Sequence, residues 1–182
     1  MGFQEYKGTP FEPWILPIIP VGAKLTEGSK IPEDKIGKIP GLYYPQSERW
    51  SGLARWSKQV TNGGKAFPVW DGWYPKDEQV VGLQTRNFPA IDADVLEAWQ
   101  ADIVRDVAFR ILGPTIVRGR GEHSPRQLLL YRLEGEFIHK LRRDYAGPGV
   151  EKFGIDILGK GQQCLIEGAH PKGGRYVWTD GK

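Results

Sequence analysis

The hydrophobic period of the chain changes at Val95, and that change constrains the fold more than any other feature of the sequence. Up to that point "PAIDADV" alternates, with Ile91 and Ala93 on one side and Asp92 and Asp94 on the other, as a strand with one apolar face does. Beyond it, "LEAWQADIVRDVAFRIL" repeats Leu96, Trp99, Ile103, Val107 and Ile111 every three to four residues. That spacing predicts an amphipathic helix, and Gly113-Pro114 stops it.

The neighbouring segments are mostly strand-like. "QVVGLQT", "TIVR" (115 to 118), "QLLLYRL" (127 to 133), "FGIDIL", "QQCLIEG" and "RYVW" are short apolar runs bounded by polar or Gly-containing turns. The "GKG" between "FGIDIL" and "QQCLIEG" predicts a hairpin, and "HKLRRDY" reads as a basic stretch. The first 50 residues are punctuated by Pro and Gly. They offer one apolar segment, Ile15 to Ile19, interrupted by Pro17, and otherwise read as loop. In "WSGLARWSKQV", Leu53, Trp56 and Val60 have helical spacing, with Ser51 as a cap and "NGG" as a stop. A second loop, "KAFPVWDGWYPKDE", follows. The expected class is α+β, a mainly antiparallel sheet core flanked by helices.

Composition narrows the function classes. A length of 182 residues fits one ordinary domain, and 40 % hydrophobic residues with seven Trp argue for a folded chain. The single cysteine, Cys164, excludes an internal disulfide framework and a Cys-rich zinc site. No apolar run reaches the length of a membrane span, and no secretory signal opens the chain. The expected location is the cytoplasm, as a soluble protein. A net charge of +3 is compatible with a polyanionic partner without demanding one. The end, "GGRYVWTDGK", lacks a closing helix and reads as the N-terminal piece of something longer.

The chemistry lies in the acids. Asp92 and Asp94 share a strand face, where two carboxylates repel unless a cation joins them. Hard oxygen donors suit Mg²⁺ or Mn²⁺. Asp156, between Ile155 and Ile157, repeats the pattern in a second strand. Three converging carboxylates would form a two-ion site, whereas acids on a solvated strand face would do nothing. "VRGRGEHSPRQLLLYR" supplies Arg118, Arg120, His123, Ser124, Arg126 and Arg132 around a Gly-rich turn, a set able to bind phosphate or simply to solvate a loop. "EGAHPKGGRYVW" adds His170, Lys172 and Arg175.

In this order the motifs resemble the primase-polymerase domain of the archaeo-eukaryotic primase superfamily, of the phage and plasmid replication-protein type. "LPIIPVGAK" with "KIPG" is similar to the family's opening segment, "GLARW" to its next helix, and "VGLQT" to the strand before the first acidic motif. "AIDADV" resembles the first catalytic motif, hydrophobic-D-x-D. "GIDILGKGQQCLIEGAHPKGGRYVW" resembles the later D-hydrophobic-x-G-x-G, G-x-H-P and Y-x-W run. The resemblance implies an RRM-like catalytic core over residues 1–182, with Asp92, Asp94 and Asp156 as catalytic residues holding two Mg²⁺ or Mn²⁺ ions. It implies template-dependent synthesis or extension of primers on single-stranded DNA from nucleoside triphosphates, beside a helicase domain or protein, in the host cytoplasm if phage-encoded. The family's middle motif, Ser-x-His, is absent from "HSPRQLLLYR". His123 and Ser124 from the loop, or Arg126, stand in its place for nucleotide binding, with His170 and Lys172 as further triphosphate contacts. A metal-dependent nuclease or phosphohydrolase and a catalytically weak single-stranded nucleic-acid-binding module remain as alternatives.

Overall fold

A computed structural model of the chain describes residues 3–58, 80–121 and 124–179. Its regular elements are strands β1 (Ile15–Ile18), β2 (Gly41–Tyr44), β3 (Arg49–Gly52), β4 (Val80–Gln84) and β5 (Ala90–Asp94), then helix α1 (Ala98–Leu112). Strands β6 (Ile116–Gly119), β7 (Gln127–Leu130), β8 (Leu141–Gly147), β9 (Val150–Leu158), β10 (Gln163–Glu167) and β11 (Val177–Trp178) follow. The fold is α+β, its paired strands are mostly antiparallel, and α1 is the one α-helix among the described residues. No described helix is long and apolar enough to cross a membrane.

The chain divides into two compact units. The first comprises Met1–Gln84 and Leu165–Arg175. It holds β1, β4, β10 from Leu165 onward, and the hairpin β2-β3. Ile15, Leu16, Ile18, Val81 and Leu83 are fully enclosed, so β1 and β4 form its core. Pro17 lies within β1, opposite Val81. β1 is an edge strand, where the missing N–H of proline breaks no ladder. The hairpin corrects the reading of residues 1 to 50 as mostly loop. Tyr43 opposes Trp50, and their rings meet at a tilt, centroids 5.3 Å apart. Gly41 is required there, because a Cβ would meet Ile19 Cγ1 at 2.2 Å. The helix read around "GLARW" is also corrected. Ser51 belongs to β3, and the described residues that follow, up to Lys58, form only a 3-10 turn, Trp56–Lys58. The "NGG" stop, Val60 and the loop "KAFPVWDGWYPKDE" lie outside the described residues.

The second unit comprises Thr85–Cys164 and Tyr176–Lys182. Its six-stranded sheet has the order β11-β6-β7-β5-β9-β8. The expected hairpin at "GKG" does not form, because β9 pairs with β5 and β8 while β10 joins β4 in the other sheet. The true hairpin is β8-β9, closed around Pro148-Gly149. The basic stretch "HKLRRDY" is therefore largely an edge strand, and its charges suit an edge that must not recruit another chain.

Helix α1 begins two residues later than its first apolar residue. The Gln100 side chain reaches back and accepts the N–H groups of Leu96 and Glu97, both at 3.0 Å. That satisfies donors which a helix start leaves orphaned. Gly113 ends it with φ 87°, its N–H donating to the Phe109 carbonyl at 2.9 Å. The helix packs on the sheet through Ala101, Val104 and Ala108, against Ala93, Val95, Val117 and Leu129. Its larger apolar residues, Trp99, Ile103, Val107 and Ile111, are exposed.

Candidate active site

The site grows from strand alternation in β5. Ile91 and Ala93 turn toward α1, so Asp92 and Asp94 must turn to the other face. The antiparallel register then decides which side chains join them. Asp92 pairs with Asp156 of β9, and Asp94 pairs with Gly154. On the other flank Asp92 pairs with Leu128, which pairs with Arg118 of β6. Directly paired residues share a face, so Arg118, Leu128, Asp92, Asp156 and Arg142 form one row across five strands.

Each of the three carboxylates, Asp92 and Asp156 in this row and Asp94 beside it, faces a cation. Arg118 Nη2 is 3.9 Å from Asp92 Oδ1, and Arg126 Nη1 is 2.9 Å from Asp94 Oδ1. Asp156 has two partners, Arg142 Nη1 at 2.6 Å from Oδ2 and Lys140 Nζ at 3.0 Å from Oδ1. Arg142 also donates from Nε to Asp144 at 2.9 Å, and Lys152 meets Asp144 from the other side at 3.1 Å. Gly154 makes room for this. A Cβ there would meet Arg142 Nη2 at 2.3 Å.

Burial sets the electrostatics. Asp92 is deeply surrounded although 39 % of its side chain stays accessible. That burial raises its pKa above the ordinary 3.8; Arg118 opposes the rise, while Asp94 and Asp156 add to it. Arg118 is almost enclosed, at 7 % exposure. The Tyr176 ring covers its guanidinium at 4.4 Å, and burial first of all raises the tyrosine's pKa. The Arg118 Nε is buried with no hydrogen-bond partner, an unspent donor beside the acids. Arg120 is pulled below its ordinary pKa, mainly by burial and then by Arg126. Cys164 is enclosed, and burial pushes its thiol up to about 12, so it is a neutral packing residue rather than a nucleophile.

The structure thus brings together Asp92, Asp94, Asp156 and Arg126. Ser124 shapes the approach to Arg126, its hydroxyl accepting the Arg126 N–H at 3.4 Å. His123 lies outside the described residues. His170 and Lys172 belong to the first unit, where His170 Nδ1 accepts the Lys172 N–H at 2.9 Å inside a tight turn. Lys140, Arg142 and Tyr176 are additions that sequence reasoning did not place. The signal for Arg142 lay in alternation along β8, which sends Arg142 to the acidic face and Leu141, Arg143 and Tyr145 to the other.

Divalent cations are the natural ligands of three carboxylates on one face, and the donor chemistry fits Mg²⁺ or Mn²⁺. Among the described residues, however, no three acidic, His or Cys side chains already form a closed ligand group. Their oxygens are engaged by Arg and Lys instead. No family model matches this chain, and no match was found among curated proteins or solved structures.

Proposed function

We propose that the chain is a primase-polymerase catalytic domain, a template-dependent nucleotidyltransferase that makes or extends primers on single-stranded DNA from nucleoside triphosphates. One observation carries the reading. The acids singled out by sequence, Asp92, Asp94 and Asp156, share one face of one sheet, with Asp92 directly opposite Asp156.

The surrounding cations support a polyphosphate substrate over a neutral one. Arg126 and the unspent Nε of Arg118 stand beside the acids, where a triphosphate's anionic oxygens would need donors. Asp92, Asp94 and Asp156 would hold the two ions. Bound there, Mg²⁺ or Mn²⁺ supplies activation of a primer 3′-hydroxyl and charge stabilisation at the leaving pyrophosphate. In that reaction the 3′-oxygen bonds to the α-phosphorus and the bond to pyrophosphate breaks. The buried wall of Arg118 and Tyr176 would fix the acids' geometry. A single-stranded template and primer are the expected partners, with a helicase domain or protein acting beside this one.

Primer extension on a single-stranded template with Mg²⁺ or Mn²⁺ tests the proposal, comparing wild type with an Asp92→Ala/Asp94→Ala double variant. Extension that vanishes in the variant supports it. Shortening of a labelled strand end would favour a metal-dependent nuclease. Binding of DNA without turnover would favour a nucleic-acid-binding module, a reading that the cation on every carboxylate keeps in play.

A further inference from the structure

Three carboxylates border Gly154. Asp144 of β8 and Asp94 of β5 are its direct partners on either side, and Asp156 follows two residues along β9 on the same face. The missing side chain of the glycine leaves a cradle between them, and the guanidinium of Arg142 lies in it. A Cβ on Gly154 would collide with Arg142 Nη2 and stand 2.8 Å from its Cζ and 3.0 Å from Asp144 Oδ1. From this position Arg142 donates from Nη1 to Asp156 Oδ2 at 2.6 Å and from Nε to Asp144 Oδ1 at 2.9 Å. One cation thus bridges the acids of two strands.

A carboxylate as enclosed as Asp156, 7 % exposed, is costly without a positive partner, whether or not an ion is bound. Arg142 is built for a replaceable part in that role. Its side chain is 44 % exposed, so it can swing toward water. When it leaves Asp156 it keeps Asp144, whose other oxygen Lys152 holds at 3.1 Å. Arg118, by contrast, is nearly enclosed beneath the Tyr176 ring and has nowhere to go. Asp156 also has coordinating capacity to spare. Its Oδ1 is sealed from water and accepts no hydrogen bond, because Lys140 Nζ, 3.0 Å away, supplies charge without the geometry of a bond. Hard divalent ions take oxygens of this kind.

We propose that the cradle over Gly154 is a divalent-cation position and that Arg142 is its displaceable occupant, holding Asp156 until an ion replaces it and then resting on Asp144. The inference rests on the metal-dependent reading above and adds to it a residue that sets ion affinity. It also gives a reason why the acids are held by Arg and Lys and do not yet form a closed ligand group among the described residues.

Titration of the whole chain with Mn²⁺ alone, read by electron paramagnetic resonance, tests it. Arg142→Gln should bind Mn²⁺ about five- to tenfold more tightly than wild type, the order that one competing charge at ~4 Å allows. Its metal-free melting temperature should fall at the same time. A merely structural arginine would lower stability without raising affinity. Arg143→Gln removes the same charge one residue along, where the side chain pairs with Ile155 on the other face, and should leave Mn²⁺ affinity within about twofold of wild type. In an Asp156→Asn background Arg142→Gln should bring no gain. An Arg142→Gln protein that binds no tighter than wild type, a gain matched by Arg143→Gln, or a gain that persists without the Asp156 carboxylate would overturn the proposal and leave the metal reading standing. Absence of Mn²⁺ binding in every protein would overturn both. If Arg142→Gln does not fold, Arg142→Lys replaces it. Lysine cannot fork to both acids, so this variant should bind Mn²⁺ a few-fold more tightly than wild type, and an affinity at or below wild type would overturn the proposal.

Discussion

Asp92 and Asp156 stand directly opposite each other on adjacent antiparallel strands. Like charges in that position destabilise a sheet. Here the cost is offset by cations from both flanks, Arg118 beside Asp92 and Arg142 with Lys140 around Asp156. Under the proposed reading the opposed acids would serve to hold cations, and the surrounding Arg and Lys side chains would keep them in place until then.

Replacement of Asp156 separates those two roles. Its partners, Arg142 and Lys140, are each 44 % exposed and can turn back to water. Asp156→Asn should therefore change stability by no more than about 1 kcal/mol. Under the polymerase reading it should lower nucleotide incorporation by at least about a hundredfold, or ~2.7 kcal/mol of transition-state stabilisation. A thermal melt and a single-turnover incorporation assay on the same preparation check both. Large destabilisation with activity retained would mean that the acid is structural.

Arg126 competes with any ion for Asp94, at 2.9 Å. Arg126→Gln removes the competitor and should strengthen Mn²⁺ binding in the absence of nucleotide, by a few-fold to about tenfold. The same change should weaken binding of a nucleoside triphosphate, because one charge-assisted donor is lost. Manganese titration by electron paramagnetic resonance, with and without nucleotide, reads both effects. Equal weakening of both would show that Arg126 only holds the fold.

The acid face was legible because a period of two fixes which side chains share a side, whatever the strand's neighbours are. Thus Asp92 and Asp94 could be placed together from seven residues of sequence. That β9 lies beside β5 in the register opposing Asp92 to Asp156 was not legible, since pairing depends on the whole sheet. The same limit produced the false hairpin at "GKG", where a good turn joins strands that go to different sheets. β8 was hidden by its charges, which are those of an edge strand and also those of a loop. For α1, Gly113-Pro114 marked the end correctly. Its spacing could not reveal that small residues, Ala101 and Ala108, would meet the sheet while the large ones faced out.

Asp92 also makes the site sensitive to acid. Its raised pKa, caused first by burial, means that the native state holds a proton at pH values where the unfolded chain has released it. Between 3.8 and the raised value, stability therefore falls as pH rises, because the native state binds more protons than the unfolded one. Cation affinity should move the other way, since an ion must displace that proton. Mn²⁺ affinity should climb over the same window in a titration from about pH 4 to about pH 7. Asp92→Asn should remove this residue's part of the stability slope. An unchanged slope in that variant would assign the dependence to another group.

Gly159 tests the turn that leaves β9. A Cβ on it would lie 2.2 Å from the Ile138 carbonyl oxygen, which accepts the Lys160 N–H at 2.8 Å. The Gly159 carbonyl in turn accepts the buried Thr85 hydroxyl at 2.8 Å. Backbone held from two sides cannot yield easily, so Gly159→Ala should destabilise the chain by about 1–3 kcal/mol, in the range of overpacked interiors. Gly161, two residues on, has φ 84° and open space around its Cβ position. Its replacement by Ala should cost ~1 kcal/mol or somewhat more through backbone strain alone. Urea unfolding of the two variants distinguishes steric from conformational cost. A Gly159→Ala protein as stable as wild type would show that the Ile138 segment does not lie against this turn.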